Sequence, residues 1–240
     1  MNRKRDRRRE TVLVTGANRG LGLEFVRQWL AEDAHIFAGC RQPDEADSLA
    51  ELADDPEHDL TVLALDVTDQ ASVDAAVATL SEATECLDVL VNNAGVSPRG
   101  EEFSNLQADA MLGVMHANAI APVILAQHCH ALLCRSPNPR VVNISSSMGS
   151  LAKKDYGRHY SYSASKAALN MLTRAAAADL RDQGIVVVAL HPGWVQTDLG
   201  GTQATLNPRE SVHGMMHVIG ELNTTQSGHF LTWNGDEHPW

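Results

Sequence analysis

Short apolar runs rich in β-branched residues recur along this chain, each separated from the next by a segment long enough to form helix. The runs are Thr11–Thr15, Ala34–Gly39, Leu60–Leu65, Leu87–Val91, Arg140–Ile144, Ile185–Leu190 and Gly228–Trp233. A strand that is apolar along its whole length needs cover on both faces, and amphipathic segments between strands supply it. The alternation therefore predicts an α/β fold, a doubly wound parallel sheet of about seven strands with helices on both faces. At 240 residues, with no internal repeat or linker, the chain suits one large domain over residues 11–240 after a basic tail at 1–10.

Open parallel sheets bind ligands outside the carboxyl ends of their strands, so the residues just after each run matter most. The first run leads into Gly16-Ala17-Asn18-Arg19-Gly20-Leu21-Gly22 and a helix from about Leu21 to Glu32. Glycines there let the backbone turn tightly and approach a pyrophosphate held on the helix N-terminus. The spacing departs from Gly-x-Gly-x-x-Gly, and the Gly-Lys-Ser/Thr ending of a triphosphate loop is missing. The second run ends in Cys40-Arg41, where dinucleotide folds meet the adenosine ribose. An acid there would bond the 2′-hydroxyl; Arg41 with Arg19 would instead pair with a 2′-phosphate, which favours NADPH, and the plain alternative for each is simple exposure. Such a pairing is worth roughly 1 to 4 kcal/mol depending on screening.

Asp66-Val67 closes the third run, where Asp66 either accepts a bond from an adenine amine or forms a turn, and Thr68 is expected to cap a helix through about Thr84. Asn92-Asn93-Ala94-Gly95 follows the fourth run and permits close approach of a cofactor. Gln107–Cys134 reads as largely helical, with Asn118 placed before Pro122 to lock a kink and hold a water. Ser145-Ser146-Ser147 ends the fifth run, and His191-Pro192-Gly193-Trp194-Val195-Gln196-Thr197-Asp198 the sixth, ahead of a polar lid at Gly200–Arg209.

Between these lies Tyr160-Ser161-Tyr162-Ser163-Ala164-Ser165-Lys166. Tyr162 and Lys166 are four apart and so share a helix face. A phenol with a reference pKa of about 10 exchanges protons poorly at neutral pH, and a neighbouring ammonium is expected to lower it. Tyr160 is off that face.

Taken together, the glycine turn, Asn92-Asn93-Ala94-Gly95, Asn118, Ile144-Ser145-Ser146, Tyr162-x-x-x-Lys166 and Pro192-Gly193 resemble the short-chain dehydrogenase/reductase family over nearly the whole chain after residue 10. The segment His191–Asp198 and the closing Asp236–Trp240 look more like the carbonyl-reductase branch related to C-factor and sniffer-type proteins. The resemblance implies a single-domain Rossmann-type fold and an oxidoreductase that reduces an aldehyde or ketone with NADP(H). It implies Tyr162 as general acid, Ser146 on the carbonyl oxygen (Ser145 or Ser147 less favoured), Lys166 on the nicotinamide ribose and Asn118 on a water relay. Cofactor contacts are implied at Gly16, Asn18, Arg19, Gly20, Leu21, Gly22, Arg41, Asp66, Val67, Asn93, Ala94, Gly95, Tyr162, Lys166, Pro192, Gly193, Val195 and Thr197. Other readings of the same residues are a cofactor-binding regulatory protein and an alcohol dehydrogenase working oxidatively.

Charge and composition narrow the partners. The tail holds six Arg or Lys against Asp6 and Glu10, a charge of +4; the overall −11 leaves −15 on the remainder. An acidic body argues against nucleic acid as main partner, and the tail is expected to be a solvated, disordered extension. No apolar run approaches a bilayer span of about 20 residues. Cys40, Cys86, Cys129 and Cys134 form no framework, so free thiols and the cytoplasm are expected. His128-x-His130 and His213/His217 lack metal-site context, so no metal is expected. Apolar outer faces on the two long helices predict a homo-oligomer, as in the family's four-helix interfaces.

Overall fold

In a computed structural model, which describes residues 8–240, seven strands form one parallel sheet. The strands are β1 (Thr11–Thr15), β2 (His35–Cys40), β3 (Leu60–Ala64), β4 (Val89–Asn92), β5 (Arg140–Ile144), β6 (Val186–His191) and β7 (Phe230–Thr232). Their order is β3-β2-β1-β4-β5-β6-β7, so the direction of winding reverses between β1 and β4 and leaves a crevice at their carboxyl ends. The expected sheet is present, with ends shifted by one or two residues.

Alternation along each strand assigns the two faces. Val12 and Val14 pack with α1 (Gly20–Ala31), α2 (Asp47–Ala53) and a late helix at Pro208–Glu221, through Phe25, Trp29, Leu49, Val212 and Met215. Leu13, Phe37 and Leu90 pack on the other face with α3 (Gln70–Ala83), through Val73 and Leu80. Asp69 caps α3 by accepting from the Ala71 amide at 3.0 Å, whereas the expected cap Thr68 turns its hydroxyl to Asp66 at 2.6 Å. The shorter carboxylate sits at the position with extended backbone that a cap requires.

The long helix expected over Gln107–Cys134 is divided. It comprises α4 (Ala108–Met115), a π-turn (His116–Ile120), α5 (Ala121–His128) and α6 (His130–Leu133). The π-turn surrounds Asn118, which is fully buried, so the expected kink is an inserted residue rather than a bend at Pro122. The stretch Ala108–His128 is 21 residues long with mean hydropathy 1.4, enough by length and composition to cross a membrane, contrary to the sequence expectation. Its inner side, with Asn118, Pro122 and Leu125, is packed into the protein, and its outer side, with Leu112 and Ile120, is exposed. The same cover is completed by α7 (Tyr160–Asp179), while α8 (Pro208–Glu221) returns to the first face. Asn207 and Glu210 form a capping box on α8, so the last residues of the expected lid are helix.

Arg8, Arg9 and Glu10, expected to be part of a free tail, are tied to the amino-terminal edge of the sheet. Arg8 pairs with the buried Asp88 at 2.5 Å, and Arg9 pairs with Asp33 at 2.8 Å. Glu10 takes the side chain of buried Arg140 and the Trp29 indole N–H. The rest of the predicted disordered tail lies outside the described residues. Cys40, Cys86 and Cys129 are buried and Cys134 exposed, all as free thiols.

Candidate active site

The crevice begins at the glycine turn. Gly16 and Gly20 have φ of +62° and +55°, a region where side chains are strained. A Cβ on Gly22 would stand 2.2 Å from the Gly16 carbonyl oxygen, so Gly22 closes the turn by its lack of a side chain. Asn93 clamps the turn to the end of β4: its amide donates to the Thr15 and Gly16 carbonyls at 2.9 and 3.1 Å. The Thr15 hydroxyl oxygen in turn accepts from the Asn93 and Ala94 amides, both at 3.0 Å.

A cleft of about 560 Å³ opens there. Of the residues singled out in the sequence, Gly16, Asn18, Arg19, Gly20, Leu21, Arg41, Asp66, Val67, Asn93, Ala94, Gly95 and Thr197 line it. Gly22, Tyr162, Lys166, Pro192, Gly193 and Val195 do not. Pro192, Gly193 and Val195 instead shape the segment that carries Thr197. Ser211 bonds the Pro192 carbonyl at 2.6 Å, Gly193 turns at φ +82°, and buried Val195 bridges to Leu206. Reasoning from sequence missed Cys40, Gln42, Glu45, Leu65, Thr68, Val96, Gly113, Ala117, Asp198 and Leu199. The four-residue spacing of Gly113 and Ala117 was the available signal, since two small residues on one helical face let a helix wall approach a ligand.

The cleft's charges are unevenly engaged. Arg19 forms an ion pair with Asp198 across the cleft, and Arg99 donates to the Asp198 carbonyl at 3.2 Å. Arg41 is exposed and has no ion pair among the described residues. The Thr68 hydroxyl holds the Asp66 carboxyl below its ordinary range, with a smaller contribution from Arg41. The expected pair of free arginines is thus one free Arg41 and one Arg19 already matched by an acid.

Beyond the cleft stands the first turn of α7. Tyr162 and Lys166 share a face, with the Lys166 nitrogen 5.7 Å from the centre of the phenol ring. Lys166 is 5% exposed and donates to the Ile144 carbonyl at 2.7 Å. Burial lowers its pKa to about 8. The phenol does not follow the sequence expectation. Burial raises the Tyr162 pKa above its ordinary value, and hydrogen bonding with Ser146 offsets only part of the rise. The Lys166 ammonium donates to the Ile144 carbonyl and stands 5.7 Å from the ring centre.

The three serines separate clearly. Ser145 is buried and donates to Asn170 at 2.6 Å, which removes it from chemistry. Ser146 caps the following 3₁₀ turn by accepting from the Met148 amide at 3.2 Å and faces Tyr162. Ser147 starts that turn. The turn rests on α7 at Gly149, where a Cβ would come within 2.7 Å of the Lys166 backbone. Asn118 donates to the Val96 carbonyl at 2.8 Å and to Ser165 at 3.0 Å, and accepts from the Val96 amide at 2.8 Å. Both amide hydrogens are therefore engaged in joining the β4 loop to α7, rather than free to hold a water. The closing Asp236–Trp240 segment lies over the loop beyond Ser146: the Trp240 carbonyl accepts from Ala152 at 2.9 Å and Ser150 at 3.1 Å.

A glycine-walled cleft at a switch point, beside a Ser-Tyr-Lys set, can bind a dinucleotide and exchange a proton at a substrate oxygen. Similarity to known proteins agrees. Residues 10–207 match the short chain dehydrogenase family. C-signal of Myxococcus xanthus is 44% identical over 154 residues, 64% of this chain and 93% of that protein. The NADPH-bound carbonyl reductase from chicken fatty liver is 40% identical with a TM-score of 0.92, over 98% of this chain and 100% of that one. Carbonyl reductase Sniffer of D. melanogaster is 32% identical with a TM-score of 0.91, over 97% and 100%. With a family match across most of its length, its sheet order and its crevice, this chain belongs to the short-chain dehydrogenase family.

Proposed function

We propose that this protein is an NADPH-dependent carbonyl reductase acting on an aldehyde or ketone, with Tyr162 as general acid. The observation that carries the reading is the grouping of Ser146, Tyr162 and the buried Lys166 at one end of α7, next to the cleft wall. Reduced nicotinamide, when bound, would supply hydride to the carbonyl carbon. Tyr162 donates its proton to the carbonyl oxygen, and Ser146 holds that oxygen by a hydrogen bond as negative charge develops. Lys166, with a pKa of about 8, is largely cationic at neutral pH and replaces the proton's charge nearby.

The residues fit the dinucleotide. Gly16 and Gly20 line the cleft at positive φ, where a phosphate would approach backbone, with Asn18 and Leu21 beside them. Arg41 meets the 2′-phosphate, and Arg19 joins it by exchanging Asp198. Asp66 and Val67 receive the adenine, Asn93–Gly95 the ribose side, and Thr197 with the Val195 backbone the carboxamide. The NADPH-bound chicken enzyme and a carbonyl reductase from Pseudomonas aeruginosa PAO1 in complex with NADP support the choice.

The test is cofactor consumption by purified protein with NADPH or NADH across aldehydes, ketones and quinones. NADPH-selective turnover is the expected result, and no binding of either cofactor would overturn the reading. Arg41→Ala is expected to raise the KM for NADPH about tenfold and leave that for NADH unchanged. Arg19→Ala should do less, because Asp198 competes for Arg19. Equal effects on both cofactors would assign Arg41 to the surface.

We also propose that the protein works as a homo-oligomer in the cytoplasm. Leu112, Ile120 and Met171 are 66%, 44% and 68% exposed on α4, the π-turn and α7, which pack together. A second copy covers such a face. Sedimentation equilibrium should give a dimer or tetramer, and a monomer after Leu112→Asp with Met171→Asp; a monomeric parent protein would reject the interface.

A further inference from the structure

The helix that carries Tyr162 begins without a cap of its own. Its N-cap residue, His159, has φ +54° and makes no side-chain capping bond. Arg158 before it has φ +68°, so two consecutive non-glycine residues occupy the left-handed region. The free amides of a first helical turn need partners, and here one partner comes from a distant loop. Glu101, sixty residues earlier, accepts from the Ser161 amide at 2.9 Å and from the Ser161 hydroxyl. Ser161 is 2% exposed and adjacent to Tyr162. The same loop adds Glu102 to Arg158 at 3.2 Å and the Phe103 ring at 6.4 Å from Tyr160.

We infer that Glu101 is a positioning residue for the proposed proton transfer, holding the first turn of α7 so that Tyr162 meets Ser146. The inference rests on the reading of Tyr162 as general acid. The loop that carries Glu101 also carries Gly95 and Val96 on the cleft wall, and Asn118 ties Val96 to Ser165 in the next turn of α7. One loop thus grips the Tyr162 helix at two successive points, and filling the cleft bears on the helix through that loop. A carboxylate suits the place because the N-terminal end of a helix attracts negative charge. Other charges near this turn are Lys154, which donates to the Arg158 carbonyl at 3.2 Å and to Ser163 at 3.1 Å, Arg158 with Glu102, the neighbouring His159, and Lys166 one turn on.

Glu101→Gln and Glu101→Ala separate position from charge. The amide keeps one acceptor for the Ser161 amide, so kcat should stay within about twofold. Loss of the negative charge should move the alkaline limb of kcat down by roughly half a unit, because a nearby carboxylate disfavours a phenolate. Glu101→Ala should lower kcat about tenfold, with the KM for NADPH within about twofold. The chain has only three tyrosines, Tyr156, Tyr160 and Tyr162. Replacing the first two by Phe lets ¹³C-tyrosine NMR follow the Tyr162 phenol directly, and its titration should shift with Glu101→Gln whether or not a substrate has been found. Absent turnover with a shifted phenol would count against the carbonyl-reductase reading and leave the Glu101 contact standing. An unshifted phenol in Glu101→Gln, or a fall in kcat that merely tracks a fall in Tm, would overturn the inference. If Glu101→Ala does not fold, Glu101→Gln decides alone.

Discussion

Tyr162→Phe is expected to lower carbonyl reduction about a thousandfold while leaving NADPH affinity within about twofold. The substitution removes one oxygen at the end of a ring that α7 continues to hold. The fold and the cleft are expected to persist, because the cleft is lined by residues of other segments. Tyr160→Phe serves as the control, since Tyr160 lies against Phe103 and away from the Lys166 face. The direction of the phenol's displacement adds a pH signature. Burial raises its pKa, so it remains an acid through the neutral range and is ready to give a proton. Carbonyl reduction should therefore hold a level kcat through neutral pH, begin to fall near pH 8 as Lys166 loses its charge, and fall further as the phenol ionises. Alcohol oxidation needs the phenolate and should rise over the same alkaline range. Retained reduction in Tyr162→Phe, with loss in Tyr160→Phe, would reverse the assignment.

Glu10→Ala should be the most destabilising single change outside the core. Arg140 is 5% exposed, and among the described residues its guanidinium reaches, besides Glu10, only the carbonyls of Asn138 at 3.2 Å and Ile219 at 3.0 Å. Removing Glu10 leaves an enclosed positive charge with neutral partners and breaks the bond to the Trp29 indole. Such a loss typically costs about 3 kcal/mol, which for a domain of this size lowers Tm by roughly 10 °C. Replacing Arg140 by Met together with Glu10→Ala should recover much of the loss, because the charge disappears with its partner. Thermal unfolding of both variants checks this; a Tm within about 2 °C of the parent for Glu10→Ala would mean that solvent reaches Arg140.

The sheet was legible because β-branched runs are local signals: β5 fell on Arg140–Ile144 as expected, and no other strand moved by more than two residues. Features set by distant partners were not. Arg19 looked free because its partner, Asp198, is 179 residues away. The tail seemed to extend to residue 10 because nothing near Arg8 or Glu10 in sequence discloses Asp88 or Arg140. The Tyr162–Lys166 spacing correctly put both groups on one helix face, yet it carried no information about burial, which sets the direction of both pKa shifts. Asn118 was recognised as an interruption, but not as the centre of a π-turn whose amide grips Val96.

The ion pair between Arg19 and Asp198 has a consequence for biosynthesis. The glycine turn leaves the ribosome well before Thr197, Asp198 and Leu199 of the cleft wall, which are made only after β6. Every earlier nascent chain carries a half-built crevice, and long-range contacts of this kind form late. The cleft is fully walled only in chains translated past Thr197–Leu199, so a bound cofactor favours finished molecules over incomplete ones.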